Sequence, residues 1–518
     1  MKTNLLRQLG ITLVILVVAG ICACGVIAQN QKQAESKIFQ DVPTNSWVYP
    51  AVMSLQKHGI LIGYPDTRFN GERKLTRYEF AVPVKRVLDV LRGGELKASD
   101  FQSEDLTNIN RLVTEFSEEL KALGTDMDKA KGQLMALTQI VASQQAMPPI
   151  NPRLVTADNT FGFHLFRELR KKDTDTNVFL SPSSVALALE MTYNGANGST
   201  KAAMEKALQI QGMSMEEVNK ANAVLLASLK SPDPAVQLDI ANGLWISKEG
   251  QGTPVKPDFV QRNREFYGAE IGDLAGAPDN VNAWVNQKTY GKITKMLERS
   301  DLRDAVAVLM NAVYFKGAWT QKFDPAKTGS GTFTDSKGNK LPAHMMSQSG
   351  NYNYFQGDHF QMVDLPYGSG RMSMELLLPD ANTPLSVLEA SLTTDNWNRW
   401  ITGLRKRHGD IQIPRLELHY EADLIPSLTA LGMGEAFKPA ADFSGIASGI
   451  YITKAKHKTY LAVNEEGTEA AAATVVVMSR GMALGFRFTA DRPFLCAIRD
   501  NKTGAILFLG AINAPKAS

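Results

Sequence analysis

The chain has 518 residues, of which 44% are hydrophobic and 21% charged, with a formal net charge of +3. That length exceeds one ordinary core, so several domains are expected, and the balance of apolar and charged residues excludes a disordered chain. So small a charge supplies no field for nucleic acid or an anionic membrane surface, and neither partner is expected.

At the N-terminus, Lys2 and Arg7 precede an apolar run from Ile11 to Ala23, and Val26-Ile27-Ala28 has the small-residue spacing of a signal-peptidase site. Residues 1–28 are expected to direct export to the periplasm, cell wall or exterior. Cleavage after Ala28 ranks first, retention as a membrane anchor second and lipidation at Cys24 third. After cleavage only Cys496 remains, so no intrachain disulfide is available, and Cys496 reads as a small buried hydrophobe.

Residues 36–95 predict a helix–loop–helix unit. Val48, Ala51, Val52 and Leu55 recur at helical spacing, Gly63-Tyr64-Pro65-Asp66 makes a turn, and Thr76 with Glu79 can cap a second helix, which Pro83 should kink. Phe39-x-Asp41-Val42, Trp47, Gly63-Tyr64-Pro65-Asp66 and Leu75-Thr76-Arg77-x-Glu79-Phe80 together resemble a single S-layer homology repeat. The resemblance implies binding to anionic cell-wall polysaccharide, with Trp47, Arg77 and Glu79 as the wall-binding residues. The alternative makes Thr76 and Glu79 plain caps and Arg77 a solvated charge.

Within residues 100–145, apolar positions step by three and four from Leu106 through Ile109, Val113, Phe116, Leu120, Leu123, Met127, Ala130, Leu134 and Leu137 to Val141. Such a seam predicts a coiled coil and self-association into a homo-oligomer. A lone amphipathic helix packed on its own chain is the competing reading, since Gly124 and Gly132 weaken the helix. A repeat followed by a coiled coil also resembles the N-terminal part of certain bacterial outer-membrane porins, but no porin strands follow.

Pro148-Pro149-Ile150-Asn151-Pro152 marks a stiff linker over 146–153. From 154 to 515 helical and strand patterns mix, which suits one large α+β domain. No Gly-x-Ser-x-Gly elbow, His-Glu-x-x-His helix or phosphate-cradling loop is present, so the chain is not expected to be an enzyme or to need a metal or cofactor. The run Arg405-Lys406-Arg407-His408 reads as a solvated loop.

The most informative segment is Val463-Asn464-Glu465-Glu466-Gly467-Thr468-Glu469-Ala470-Ala471-Ala472-Ala473-Thr474-Val475-Val476-Val477-Met478. Its alanines favour a helix, yet it passes into β-branched residues and so can change state. Glu465 to Thr474 resembles the hinge of inhibitory serpins nearly residue for residue. Asn177 to Ser184, Asn311 to Trp319, Asp442 to Ile446, His457-Lys458 and Asp491 to Phe494 resemble further serpin motifs in the family's order.

The resemblance implies a serpin fold of three β-sheets, about nine helices and an exposed reactive loop near Gly467–Phe488. It also implies a function: a serine-protease inhibitor that acts as a suicide substrate when its cleaved loop enters the large sheet. Glu465, Gly467, Thr468, Ala470, Ala472 and Thr474 would be the hinge. Ser181, Ser184, Asn311 and His457 would form a polar cluster beneath the sheet opening, with Trp319 at its upper end; as plain core residues they would simply be satisfied polar groups.

A strand buries alternate side chains, so Thr468, Ala470, Ala472, Thr474, Val476 and Met478 would point inward and Glu469 outward. None of the inward set is charged or proline. Met482-Ala483 is the favoured scissile bond, suiting elastase-like or subtilisin-like proteases; Arg480-Gly481 would suit a trypsin-like one. A non-inhibitory serpin serving as a wall-bound structural or binding protein is the alternative function.

Overall fold

The computed structural model describes residues 149–515 apart from 231–232, 248–253 and 469–484, together with 81–88 and isolated positions between 109 and 135. The chain divides into two compact units, Met1–Pro148 and Pro149–Ser518. The segment 1–28, the residues Trp47, Arg77 and Glu79, and the loop over 469–484 lie outside the described residues.

In the first unit, residues 81–88 are helical through Pro83 and bury Ala81, Val84 and Leu88. A helix at Ser117–Ala122 then stops abruptly. Gly124 takes φ +76, its N–H bonds to Lys121 O at 2.9 Å, and Thr125 N–H bonds to Leu120 O at 2.9 Å. This paired closure around a left-handed glycine is a Schellman terminator, so the unbroken seam expected over 106–141 is interrupted. The seam residues Ile109, Val113, Leu120, Met127 and Ala130 are buried, whereas Met135 is 63% exposed.

The second unit holds nine α-helices among its described residues: α1 (Pro152–Lys172), α2 (Pro182–Tyr193), α3 (Gly198–Ala207), α4 (Met215–Leu229), α5 (Pro257–Tyr267), α6 (Asp279–Lys288), α7 (Leu385–Ala390), α8 (Thr394–Gly403) and α9 (Ile425–Leu428). Pro152 opens α1 instead of closing a linker. A proline at the first helical position lacks only an N–H that has no intrahelical partner, and Asn151 caps the helix by accepting from Arg153 and Leu154 N–H.

One sheet has six strands in the order β10 (Leu416–Asp423), β11 (Ile452–Asn464), β12 (Gly467–Thr468), β4 (Ala307–Ala318), β2 (Val236–Ile246) and β3 (Glu270–Asp273). The other has nine strands: β1 (Val178–Leu180), β15 (Ile506–Ile512), β14 (Phe494–Asp500), β8 (Met372–Pro379), β7 (Phe360–Tyr367), β6 (Lys340–Gly357), β9 (Arg405–Pro414) and β13 (Phe486–Thr489) in order, with β5 (Gly329–Thr334) off β6.

Among the described residues the expected three sheets are joined into two hydrogen-bonded networks, because two of them share a strand. The 18-residue β6 pairs with β5 and β9 along its first part and with β7 at its end, which fuses two sheets into one. Arg405-Lys406-Arg407-His408 opens strand β9 and is not a loop, although all four residues are exposed. Strand β13 begins at Phe486, so the C-terminal end of the expected loop falls short of Phe488.

Residues alternate between two apolar layers along β4. Ala307, Leu309, Val313 and Phe315 face the main core, while Val308, Met310 and Ala312 pack with Val281 and Val285 of α6. Cys496 is fully buried, and burial pushes its thiol up to about 12, so it remains an unreactive core group.

Candidate functional site

Strands β4 and β11 run parallel and pair directly from Ala307 and Ile452 up to Val313 and Thr459. Above that point they part, and β12 occupies the gap antiparallel to both: Gly467 lies opposite Asn464 and Ala318, and Thr468 opposite Val463 and Gly317. The sheet thus has a slot, filled by two residues at the top and closed below.

Glycine is required at the mouth. Gly467 has φ +148, and a Cβ there would lie 2.1 Å from Gly317 O. The next residue, Thr468, is fully buried, and its Oγ1 shares a 2.8 Å hydrogen bond with the Tyr367 hydroxyl. The Trp319 indole stacks on Tyr367 at 4.4 Å, and its Nε1–H donates to Asn464 O at 2.9 Å. Trp319 N–H also donates to Glu466 O at 3.0 Å, so this tryptophan holds the turn that carries the chain from β11 into β12.

Glu465 anchors the same turn. Its carboxylate takes Arg415 Nη2 at 2.7 Å and the Thr328 hydroxyl at 2.6 Å, and its carbonyl accepts Phe323 N–H at 2.9 Å. Burial opposes the charge on Glu465, but the hydrogen bonds from Arg415 and Thr328 outweigh it and hold the carboxyl below its ordinary range.

The closed part of the slot is locked by polar groups in one line across three strands. Asn242 of β2, Asn311 of β4 and His457 of β11 are cross-strand neighbours. Asn311 Nδ2 donates to Asn242 Oδ1 at 2.6 Å and to the Ser184 hydroxyl at the start of α2. Ser181 N–H donates to His457 Nε2 at 3.1 Å, which leaves Nδ1 as the protonated nitrogen that donates to Asn311 Oδ1 at 2.6 Å. Burial lowers the imidazole to about 3, so it is neutral at ordinary pH. Ser181 Oγ donates to Leu507 O at 2.6 Å, which ties the cluster to the second sheet.

Of the residues read from sequence, Ser181, Ser184, Asn311 and His457 meet in this line, and Glu465, Gly467, Thr468 and Trp319 meet at the mouth. Ala470, Ala472, Thr474, Arg480, Gly481, Met482 and Ala483 fall outside the described residues. Sequence reasoning missed Asn242, Tyr367, Arg415 and Thr328. Only the register of β2 against β4 brings Asn242 beside Asn311, while Tyr367 carried a weak signal as an aromatic in Leu365-Pro366-Tyr367-Gly368.

The chain matches the family model "Serpin (serine protease inhibitor)" over residues 156–515 and the S-layer homology domain over 38–81. It is 38% identical to human Serpin B8 over 377 residues, covering 70% of this chain and 99% of that protein. It is 34% identical over 382 residues to the horse leukocyte elastase inhibitor, covering 70% of this chain and all of that one. The native-state structure of tengpin, a thermophilic serpin, superposes with a TM-score of 0.66 at 31% identity, covering 71% of this chain and 95% of tengpin. With a two-residue strand seated at the head of its main sheet and these matches over most of its length, the chain belongs to the serpin family.

Proposed function

We propose that the chain inhibits serine proteases as a suicide substrate, tethered to the cell envelope by its S-layer homology segment. The observation that carries the reading is the slot: β4 and β11 are separated at the top by Gly467–Thr468 and paired below. Continuing that register downward sets Ala470 opposite Phe315 and Leu461, Ala472 opposite Val313 and Thr459, and Thr474 opposite Asn311 and His457. The small alternate residues thus enter the main core, and a hydroxyl arrives where insertion separates the Asn311–His457 pair. That replacement of one buried polar contact by another lowers the barrier to opening.

Serpins are a type example of strand addition from within one chain. About 14 inserted residues at ~3.3 Å each would carry an attached protease nearly ~50 Å. Cleavage at Met482-Ala483 would fit elastase-like or subtilisin-like enzymes, and cleavage at Arg480-Gly481 a trypsin-like one. Cell-wall polysaccharide is the second partner, through Trp47, Arg77 and Glu79, and the 106–141 segment would join copies of the chain.

The test is to incubate the full chain with one protease of each class and run the products under denaturing conditions. A denaturant-resistant complex is expected, together with a released peptide starting at Ala483. Cleavage without any complex would establish the non-inhibitory reading instead. Tethering is tested by sedimentation with polysaccharide-retaining cell walls, where truncation before Ser99 should abolish co-sedimentation.

A further inference from the structure

Helix α2 begins at the slot, with Ser184 bonded to Asn311, and six residues further on it carries Glu190, which is fully buried. Asp158 of α1 is 1% exposed, and its charge acts on Glu190. From Glu190 a hydrogen-bonded chain runs through Asn222 of α4 and Tyr267 of α5 to Asn219 of α4.

A donor count exposes a deficit. Asn222 Nδ2 is spent on Glu190 Oε2 at 2.7 Å and on the Tyr267 oxygen at 3.3 Å. Tyr267 O–H donates to Asn219 Oδ1 at 2.8 Å, and Asn219 Nδ2 to Asn194 Oδ1 at 2.7 Å. Four acceptors remain buried without a hydrogen-bond partner: Asp158 Oδ1 and Oδ2, Glu190 Oε1 and Asn222 Oδ1. Leaving such groups empty is strongly unfavourable.

Among the described residues no basic group supplies the deficit. Arg262 of α5 donates to Asn194 O at 3.4 Å and to Met215 Sδ at 3.9 Å, and the neighbouring Tyr193 hydroxyl is committed to Glu205 at 2.6 Å.

We propose that Asp158 and Glu190 are a proton-holding pair, each kept as the neutral acid, whose two hydroxyl groups turn two oxygens into donors, reduce this deficit and lock α2 against α1, α4 and α5. The chemistry agrees: burial alone pushes Asp158 up to about 8, and burial, then the Asp158 charge, pushes Glu190 well above its ordinary value. Because α2 carries Ser184 and starts directly after Ser181, loss of the protons loosens the seat of the cluster that keeps the slot closed. The native serpin then becomes sensitive to alkali.

The sign follows from linkage. An acid whose folded pKa is raised stabilises the fold fully below its unfolded value, and that contribution is lost as pH rises towards the folded value, here from the ordinary carboxylate range to about 8. Glu375 is buried with a similarly raised carboxyl and adds its own slope, so only differences between variants are diagnostic.

The experiment uses the full chain and Asp158→Asn, Glu190→Gln and the double variant. Unfolding temperature is followed between about pH 5 and about pH 9, and infrared spectra of the folded proteins are recorded at neutral pH. The double variant should lose the part of the alkaline decline that this pair supplies, and each single variant should remove part of the protonated-carboxyl band. An unchanged slope in the double variant overturns the proposal, and so does an unchanged band in the single variants should the double fail to fold. If millimolar Ca2+ or Na+ at pH 8 raises the wild-type unfolding temperature but not that of the variants, the oxygens hold a cation and not protons.

Discussion

The two halves of the slot between β4 and β11 are built from opposite materials. The upper half is aromatic and glycine-rich: Trp319 stacks on Tyr367, and Gly467 lies where any Cβ would strike Gly317 O. The lower half is a line of buried polar side chains, Asn242, Asn311 and His457, each bonded to the next. A stacked aromatic wall with a small-residue entrance admits a strand without breaking specific bonds, whereas a polar line must be dismantled before a strand can pass. On the proposed mechanism, the contrast would separate where insertion begins from what holds it back, and would make the stability of the closed sheet kinetic.

The largest effect should come from blocking the entrance. Thr468→Arg would bury a charge beside the Tyr367 hydroxyl, at a cost of at least several kcal/mol. The variant should be cut at the same bond and at a similar rate but release the protease active, turning inhibitor into substrate. Glu469→Arg, at the position that strand alternation would turn outward on insertion, should weaken inhibition much less. Equal inhibition by both variants would break the distinction between the two faces of the loop.

A smaller effect is expected from the lock. Asn311→Ala strands Asn242 Oδ1, the Ser184 hydroxyl and His457 Nδ1–H in one step. Removing a shared partner from buried polar groups costs about 2–4 kcal/mol. The native form should convert spontaneously to a loop-inserted one at least ~10-fold faster, since ~1.4 kcal/mol off a barrier is tenfold in rate. Gel mobility and loss of inhibitory titre on storage measure it; a storage half-life equal to wild type would mean that the polar line does not set the barrier.

Much of this region was legible in the sequence because it depends on local chemistry. Gly467 and Thr468 are read from the hinge itself, and the pattern around Ser181, Ser184, Asn311 and His457 from ordered motifs. What was not legible depends on register and on bending. Asn242 reaches Asn311 only because β2 and β4 pair at that position, and the continuity of two of the expected sheets through the long β6 is set by bending that no local motif announces. The break within the helical seam was missed for a local reason: period alone carries through Gly124, but the backbone turns there into a left-handed terminator.

The smallest effect sharpens the comparison through pH. His457 accepts from Ser181 N–H through Nε2, so a proton on that nitrogen would break the bond and place a charge in the line. Burial holds its pKa at about 3, whereas the unfolded chain binds the proton near the ordinary 6.5. The native state therefore excludes a proton that the unfolded state takes. Its stability contribution is complete above about 6.5 and is lost as pH falls towards about 3. One pH unit inside that window is worth about 1.4 kcal/mol. Lowering the pH from about 6.5 to about 5.5 should thus depress the unfolding temperature through His457, while the Asp158–Glu190 pair, with its raised carboxyls, acts in the opposite direction over the same range. The two are separable by difference. His457→Phe lowers stability at every pH by leaving Ser181 N–H unpaired, yet it should abolish the acid-side loss that the histidine supplies. If the wild type and His457→Phe show parallel profiles between about pH 4 and about pH 7, proton exclusion by His457 does not govern the closed half of the slot.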